Sequence, residues 1–420
     1  MLKTAGYSYW TNQTSPVRQY PWLSLDENCE VLVIGGGVTG ALLGYRFAED
    51  GLNVCLISKL PIGYGASAFS SGILEYDNNL SLVQLGKNIG RQAAVECLER
   101  YRDALDSIET LCSELKLETG FQRRDVLSYT SDRSHGDFFH TEYLVRRHNG
   151  FDVEYLDRAA TRDQYSFPVE DGILSTGMGA EIDPYQFAQA LLNQASERYG
   201  LRCYENTEAV SIDVSGGRVV VKTGTGHTIF AERLIMATGL EQNDYLRLFS
   251  GKRAVFTVVT EPVDGFAGYD SRVLLRNDEG SGFHIRTTPD NRLLITGSDS
   301  FFAGVDRRFS KLAGFGKLAD LRYERMIRVL REMFCGIGRI IPAYCYAGTY
   351  GITADLLPVI GEAEGYPNVC FCLESGPENA LTAEVAADLL IRLHRGETVG
   401  FKAFHPARKS LNRRFAFTGS

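Results

Sequence analysis

The sequence predicts an α/β fold in which a parallel sheet is combined with a second, antiparallel sheet. A buried strand, a glycine-rich turn and a helix follow one another between Val31 and Asp50. The same order returns between Asn368 and Arg395, through the turn Ser375–Pro377. From about Val255 to Gly297, apolar and polar residues alternate as in strands with one buried face. The two strand–turn–helix units therefore predict an α/β layer, and the alternating stretch predicts the antiparallel sheet.

The first turn carries Gly35, Gly37 and Gly40 in the spacing G-x-G-x-x-G. Gly35 makes the tight bend, Gly37 lets the backbone approach a pyrophosphate, and Gly40 lets helix and strand pack closely. The helix N-terminus presents unpaired N–H groups and a positive dipole end to phosphates. Because the pattern follows a strand and opens a helix, it predicts a dinucleotide site. A glycine turn that holds no ligand is the alternative.

Length, charge and cysteine content limit the classes of function that the chain could have. At 420 residues the chain is long enough for two or three domains, or for one large discontinuous one. A net charge of −8 and the absence of a basic stripe argue against nucleic acid or an anionic membrane as the main partner. No apolar run reaches the length of a membrane span, so a cytoplasmic enzyme is the expectation. The nine cysteines, without paired spacing, favour reduced thiols and no metal site.

The segments on either side of the first strand–turn–helix unit give further predictions. Residues 1 to about 28 are expected to form an irregular arm. The second strand, Asn53 to Ser58, ends in Ser58 and Lys59, where dinucleotide folds usually place an acid for the ribose hydroxyls. Gly63 to Leu74 is a loop of small residues that can press against a flat ring system, with a flexible linker as the alternative.

Further elements are predicted from helix caps and periodicity. Asp183 and Pro184 form a strong N-cap, and Gln186 can complete a capping box. The other predicted elements are a helical region Leu80–Leu117 broken at Gly90, a hairpin formed by 209–214 and 218–223, a strand 234–238 and a helix 320–334.

Several separated segments resemble the D-amino-acid oxidase and glycine oxidase superfamily of flavoproteins. They follow the order found in that family and span nearly the whole chain. The matching segments are the glycine turn, Gly65 to Leu74, Ala180 to Tyr185, Ala237–Gly239, and Tyr346 to Asp355 with Pro358 to Gly361.

The resemblance implies a discontinuous Rossmann-like FAD-binding domain, from residues 1–80, 150–245 and 341–420. The substrate domain, α+β and built on the antiparallel sheet, would comprise 81–149 and 246–340. Non-covalent FAD would bind to Gly35, Gly37, Val38, Thr39, Gly40, Ser58, Lys59, Ala66, Ser67, Ser70, Ser71, Gly72, Val210, Thr238, Gly239, Asp355, Gly376, Pro377, Glu378 and Asn379.

The resemblance also implies the reaction, which is hydride transfer to flavin N5 from a C–H next to an amine, with O2 or another acceptor reoxidising the flavin. Candidate reacting groups are Tyr346 and Tyr350, which replace a usual Trp and a carboxylate-binding Arg, and Ile73 beside the flavin ring. His284 and Arg286 would share one strand face, and Arg286 resembles a family arginine that binds carboxylates. A solvated sheet edge is the alternative for this pair.

The sequence thus favours an FAD-dependent oxidoreductase acting on a small amine or amino acid derivative. A flavin-binding protein or subunit with little turnover of its own is the second hypothesis, suggested by the altered turn Ser375–Asn379. An NAD-dependent enzyme is the third, although a nicotinamide fold has no need of the C-terminal strand–turn–helix unit.

Overall fold

A computed structural model describes residues 4–77, 80–242, 249–278, 282–298, 317–362, 364–376 and 380–412. The strands in chain order are β1 (Thr4–Gly6), β2 (Glu27–Ile34), β3 (Val54–Ile57), β4 (Ile73–Glu75), β5 (Gln122–Thr130), β6 (Val153–Asp157), β7 (Asp171–Glu181), β8 (Arg202–Tyr204), β9 (Ala209–Ser215), β10 (Arg218–Thr223), β11 (Thr228–Met236), β12 (Phe249–Thr260), β13 (Leu274–Asn277), β14 (Phe283–Thr287), β15 (Leu293–Ser298), β16 (Pro342–Thr353), β17 (Val359–Glu362) and β18 (Val369–Leu373). The helices are α1 (Tyr9–Gln13), α2 (Val38–Glu49), α3 (Leu82–Ile89), α4 (Arg91–Glu114), α5 (Gly136–His148), α6 (Arg158–Thr161), α7 (Pro184–Tyr199), α8 (Lys317–Met333) and α9 (Ala380–His394). Short 3-10 turns cover Ala66–Phe69, Arg133–His135, Gly239–Gln242 and Lys409–Asn412.

The strands form two sheets within the described ranges. An eight-stranded sheet has the order β17-β18-β11-β2-β3-β8, with β10 and β9 attached to β11. Its central strands β18, β11, β2, β3 and β8 are parallel, as the buried apolar runs predict. Helices α2, α7 and α9 pack together beside this sheet in one apolar core. The predicted α/β layer with a parallel sheet is therefore confirmed.

The second sheet has ten strands in the described part of the chain, in the order β1-β16-β12-β15-β14-β13-β5-β7-β4, with β6 paired to β7. Its pairs are antiparallel except for β13 with β5. Helix α8 covers one face through a second apolar core. The predicted antiparallel sheet is confirmed, with more strands than the sequence indicated.

Five strands of the ten-stranded sheet, β1, β4, β6, β7 and β16, lie inside ranges predicted for the FAD-binding domain. The predicted domain boundaries stay a prediction. These five strands share one sheet with strands of the predicted substrate domain. Such pairing between distant segments cannot be recognised from local sequence patterns.

The prediction of an irregular N-terminal arm is wrong for Thr4–Gly6 and Tyr9–Gln13, which form a strand and a helix. Strand β1 pairs with β16, and α1 buries Tyr9 and Trp10. The indole N–H of Trp10 donates to the carbonyl oxygen of Ser70 at 2.8 Å. The N-terminal segment is therefore part of the wall around the loop that the sequence singled out.

Local signals predicted several boundaries correctly. The helical region breaks at Gly90, whose φ of +93° suits glycine. The Asp183 carboxylate accepts from the N–H groups of Tyr185 and Gln186. The full capping box does not form, since the N–H of Asp183 donates to the carbonyl oxygen of Thr119.

Candidate functional site

The glycine turn joins β2 to α2 at the carboxyl edge of the parallel strands. Gly35 has a φ of +130°, and a Cβ there would overlap the Ala237 carbonyl oxygen. A Cβ on Gly40 would overlap the carbonyl oxygen of Gly35. Both glycines are therefore required by close backbone approach, as the fingerprint predicts.

A groove of about 550 Å³ runs along this edge. Its lining includes nine of the twenty predicted cofactor residues, namely Gly35, Gly37, Thr39, Ser58, Lys59, Ala66, Ser67, Thr238 and Gly239. Val38 and Gly40 lie in the helix just behind the lining, and the Val38 N–H donates to the Ser67 hydroxyl at 2.9 Å. The groove thus combines a helix N-terminus with the small-residue loop, on the side where open α/β sheets bind ligands.

Val210, Asp355 and Gly72 are predicted cofactor residues that do not line the groove. Val210 is 61% exposed and is not among the groove residues, whereas its neighbour Ala209 lines the groove. Asp355 is buried beneath the C-terminal segment, where it pairs with Arg408 at 2.7 Å and accepts from Ser410. Arg408 outweighs the burial of this carboxyl and holds its pKa below the usual range. Asp355 therefore acts in the structure as an anchor for the C-terminal segment.

The end of the groove nearest β3 has an ion pair. The Ser58 hydroxyl donates to the carbonyl oxygen of Leu60 at 2.6 Å, so its single proton is already used. The ammonium group of Lys59 lies 2.6 Å from the carboxylate of Glu208. Both members of this pair line the groove. A carboxylate is therefore present near the usual position of the ribose acid, supplied from a different segment.

A cavity of about 290 Å³ adjoins the groove. The two share the lining residues Ala66, Gly239, Leu240, Thr349 and Glu374. Other predicted residues in the cavity lining are Ser70, Ser71, His284, Tyr350 and Gly376. A ligand in the cavity would therefore be next to one that fills the groove.

The cavity wall formed by the ten-stranded sheet has polar groups on adjacent strands. Arg253 of β12 is directly opposite Tyr350 of β16, and both line the cavity. His284 of β14 faces Arg276 of β13 in the ladder. Burial, together with the positive charge of Arg276, lowers the pKa of His284 to about 3. The imidazole is therefore neutral at physiological pH and can accept a hydrogen bond.

Arg276 connects the cavity to a buried ionic network. Its guanidinium lies 2.7 Å from Asp77 and 2.9 Å from Glu75, and Asp77 is also 2.8 Å from Arg146. Burial raises the pKa of Glu75 to about 7, whereas the two arginines outweigh burial at Asp77 and hold its pKa below the usual range. Most of the charge on Arg276 is thus compensated within this network.

Three predicted reacting residues are buried outside the cavity lining. Arg286 is 1% exposed, and its guanidinium donates to the carbonyl oxygens of Gly72 at 2.7 Å and Ile182 at 3.0 Å. The alternative of a solvated sheet edge is therefore wrong. Tyr346 packs in an aromatic cluster with Tyr9 and Trp10. Ile73 is 1% exposed in β4.

Arg286 instead shapes the loop beside the cavity. By holding the carbonyl oxygens of residues 71, 72 and 182 together, it fixes the small-residue loop against the start of α7. Trp10 lies over its guanidinium, 5.4 Å from ring to Cζ. The pleat does put Arg286 and His284 on one face, but α1 covers only the Arg286 end.

The turn after β18 is described in part. Ser375 and Gly376 line the cavity, whereas Pro377, Glu378 and Asn379 lie outside the described residues. Glu374, the residue just before the turn, lines both groove and cavity. Burial raises the pKa of Glu374 to about 8.

Sequence reasoning missed Glu374, Arg253 and Glu208. Glu374 had a usable signal, since a polar residue directly after a buried parallel strand lies at the ligand-binding edge. Arg253 and Glu208 had none, because their positions depend on the register of β12 with β16 and on the path of the chain after β8.

Neither a membrane-spanning helix nor a cluster of metal ligands is found in the described residues. Among the helices given above, none has both the length and the apolar character required to cross a bilayer. In the same residues, no three His, Cys, Asp or Glu side chains are grouped so that they could hold a metal ion.

Comparison with known proteins adds independent findings. Residues 30–393 match the family model described as DAO, FAD dependent oxidoreductase. The chain is 26% identical over 419 residues to a putative Rieske 2Fe-2S iron-sulfur protein of Bacillus subtilis, covering 98% of this chain and 77% of that one. It is 21% identical to the gamma-glutamylputrescine oxidoreductase of Escherichia coli, with 94% and 91% covered.

The fold also matches a solved structure. Glycine oxidase from Geobacillus kaustophilus superposes with a TM-score of 0.74 at 19% identity, covering 91% of this chain and 99% of that one. At this identity the likeness shows the fold.

The described groove fits FAD. The glycine turn leaves the backbone open to a pyrophosphate, the Lys59–Glu208 pair lies at the end next to β3, and the other end opens into the cavity. Gly36 and Gly37 could not carry a Cβ without contacts of 2.6 Å to Ser58 and 2.9 Å to Ser67, so the cradle is shaped by missing side chains. The predicted cofactor is thus supported by both the family match and the geometry.

Proposed function

Because the chain belongs to the DAO family of FAD-dependent oxidoreductases, we propose that it oxidises a small amine or amino acid derivative at the carbon next to nitrogen. The observation that carries the proposal is the shared lining of groove and cavity, which would place a small molecule against the reactive end of the cofactor. Bound FAD would supply the hydride acceptor, its N5 atom. The names of the E. coli relative and of the structural neighbour, an amine and an amino acid oxidising protein, support the substrate class.

The cavity supports a small substrate with an apolar part and one anionic group. Its volume of about 290 Å³ is at the lower end of ordinary ligand pockets. Phe69 and Val255 supply apolar wall, and Arg253 supplies a positive charge. A guanidinium can bind a carboxylate through two charge-assisted hydrogen bonds. The substrate carboxylate would therefore be held from β12, one strand away from Tyr350.

Alignment is the main task of the protein in such a reaction. The chain must exclude water, hold the C–H against the cofactor and keep the amine unprotonated. His284, neutral in the cavity wall, can accept a hydrogen bond from the substrate amine and so help to orient it.

An anaerobic panel of amines, amino acids and hydroxy acids tests the proposal. We expect one or more compounds with a C–H next to an amine to bleach the visible absorption of the bound flavin. If hydroxy acids alone bleach it, the substrate class is wrong. If nothing bleaches it while FAD remains bound, the second hypothesis, a flavin-binding protein with little turnover, is favoured.

The electron acceptor is a separate question. The iron–sulfur name of the B. subtilis relative favours an acceptor other than O2, such as a quinone or an electron-carrying protein. Once a substrate is found, hydrogen peroxide formation in air can be compared with reduction of an artificial electron acceptor. Peroxide at the full rate of substrate oxidation would identify an oxidase.

A further inference from the structure

Glu374 occupies the junction of groove and cavity. It follows β18 directly and lines both spaces. Thr39, in the first turn of α2, donates its hydroxyl to the Glu374 carboxyl group. Thr39 itself lines the groove beside Gly37. The acid is therefore attached to the helix whose N-terminus opens onto the cofactor groove.

The charged groups around Glu374 do not neutralise it. Residues 38–44 of α2 carry no charged side chain. At the far end of the groove, Lys59 and Glu208 pair with each other. Two residues before Glu374, in β18, Cys372 is a buried thiol whose pKa is raised by burial and by the Glu374 charge. The ionisable and charged groups in the cavity lining are Arg253, Arg276, Asp278, His284 and Tyr350.

Burial therefore governs the ionisation of this carboxyl. It raises the Glu374 pKa to about 8, so the group is mostly neutral at pH 7 even without a cofactor. FAD would bring two pyrophosphate charges into the groove that Glu374 lines. Like charges in a site with little water repel strongly, which favours the protonated acid still more.

We propose that FAD binding is linked to the protonation of Glu374, which holds the cofactor as a neutral carboxylic acid. When the free protein carries the carboxylate, binding takes up one proton from solvent. When it carries the acid, no proton is exchanged. The inference rests on FAD as the cofactor and is independent of the substrate.

The sign of the effect follows from the two protonation states. Below about pH 7 the acid is already protonated, and the dissociation constant of FAD should be nearly constant. Above about pH 8 each unit of pH should raise the dissociation constant by up to about tenfold, the limit for one linked proton. Affinity is thus lost on the alkaline side only.

The test is titration of the apoprotein with FAD from pH 6 to 9.5, followed by flavin fluorescence. Glu374→Gln keeps a neutral donor, so we expect wild-type affinity at pH 7 and a flat profile above it. Glu208→Gln is the matched control, an acid in the same groove, and should keep the wild-type slope whatever its affinity. Glu378→Gln should keep the slope as well.

A calorimetric measurement needs no variant. Wild-type protein titrated with FAD at pH 9, in two buffers of different ionisation enthalpy, should take up close to one proton. A flat wild-type profile, no proton uptake at pH 9, or a slope retained by Glu374→Gln would overturn the proposal. Each of these outcomes would leave the proposed amine oxidation untouched.

Discussion

Arg253 illustrates how much one residue's role depends on register. It lies directly opposite Tyr350 across the β12–β16 ladder, in the wall of the cavity. The sequence pointed to Arg286 instead, which the structure shows buried and bonded to carbonyl oxygens. The two arginines thus differ in environment because of long-range packing, which the local sequence does not reveal.

Replacing Arg253 by Met should lower kcat/KM for substrates that carry a carboxylate. A hydrogen bond to a charged group contributes about 1.5–3 kcal/mol, so kcat/KM should fall roughly 10- to 100-fold. Analogues of these substrates that lack the carboxylate serve as the control, and their kcat/KM should change little. An equal loss for both sets would mean that Arg253 supports the sheet rather than the substrate.

Glu208 is the corresponding residue at the other end of the site. Its carboxylate lines the groove beside Ser58, whose hydroxyl is used by Leu60. Glu208→Gln should weaken FAD binding by roughly tenfold, because charge-assisted hydrogen bonds to ribose hydroxyls become neutral ones. Equilibrium titration of the apoprotein measures this. Glu154→Gln, which changes an exposed acid on β6, is the control. Unchanged FAD affinity in Glu208→Gln would show that Glu208 does not bind the ribose hydroxyls.

At the scale of elements, α5 holds α3 in place through a buried carboxylate. Glu142 accepts from the N–H groups of Leu82 and Val83, at 2.7 and 2.9 Å, and so satisfies the start of α3. Arg146, one turn later, lies 2.7 Å from Glu142. The helix pair therefore depends on one compensated buried charge cluster.

Arg146→Met should lower the free energy of unfolding by about 3–5 kcal/mol, since it leaves the buried Glu142 carboxylate without its arginine and removes one of the two arginines that pair with Asp77. Arg147→Met changes the neighbouring, exposed arginine of the same helix and should have little effect. Urea denaturation of both variants measures the difference. Equal stability of the two would show that the cluster contributes nothing net.

The C-terminal segment is attached through Asp355, which follows β16. Its folded-state pKa is depressed, mainly because Arg408 and Ser410 outweigh burial. The pair therefore stabilises the fold fully above the ordinary pKa of Asp, about 3.9, and this contribution is lost as the pH falls through the lower folded value.

Asp355→Asn should accordingly be less stable than wild type at pH 7, and the gap should narrow toward pH 3. Melting temperatures measured from pH 7 to pH 3 test this. A gap that stays constant with pH would mean that the charge of Asp355 is not what anchors the segment.

Across the whole molecule, the sequence predicted the fold class and the cofactor groove correctly. Those features depend on local signals, such as the spacing of Gly35 to Gly40 and the apolar run of β2. The cavity could not be predicted, because it is assembled by long-range strand pairing, as between Arg253 and Tyr350 or β1 and β16. The N-terminal arm was misjudged for the same reason.

The central claim is that a C–H bond next to nitrogen is broken while the substrate occupies the cavity. The most direct measurement is the rate of flavin reduction, in anaerobic stopped flow, for a substrate with hydrogen or deuterium at that carbon. We predict slower flavin reduction when the substrate carries deuterium at the carbon next to nitrogen, and no effect of deuterium elsewhere in the substrate. Reduction at the same rate with either isotope and also by hydroxy compounds that lack nitrogen would contradict it.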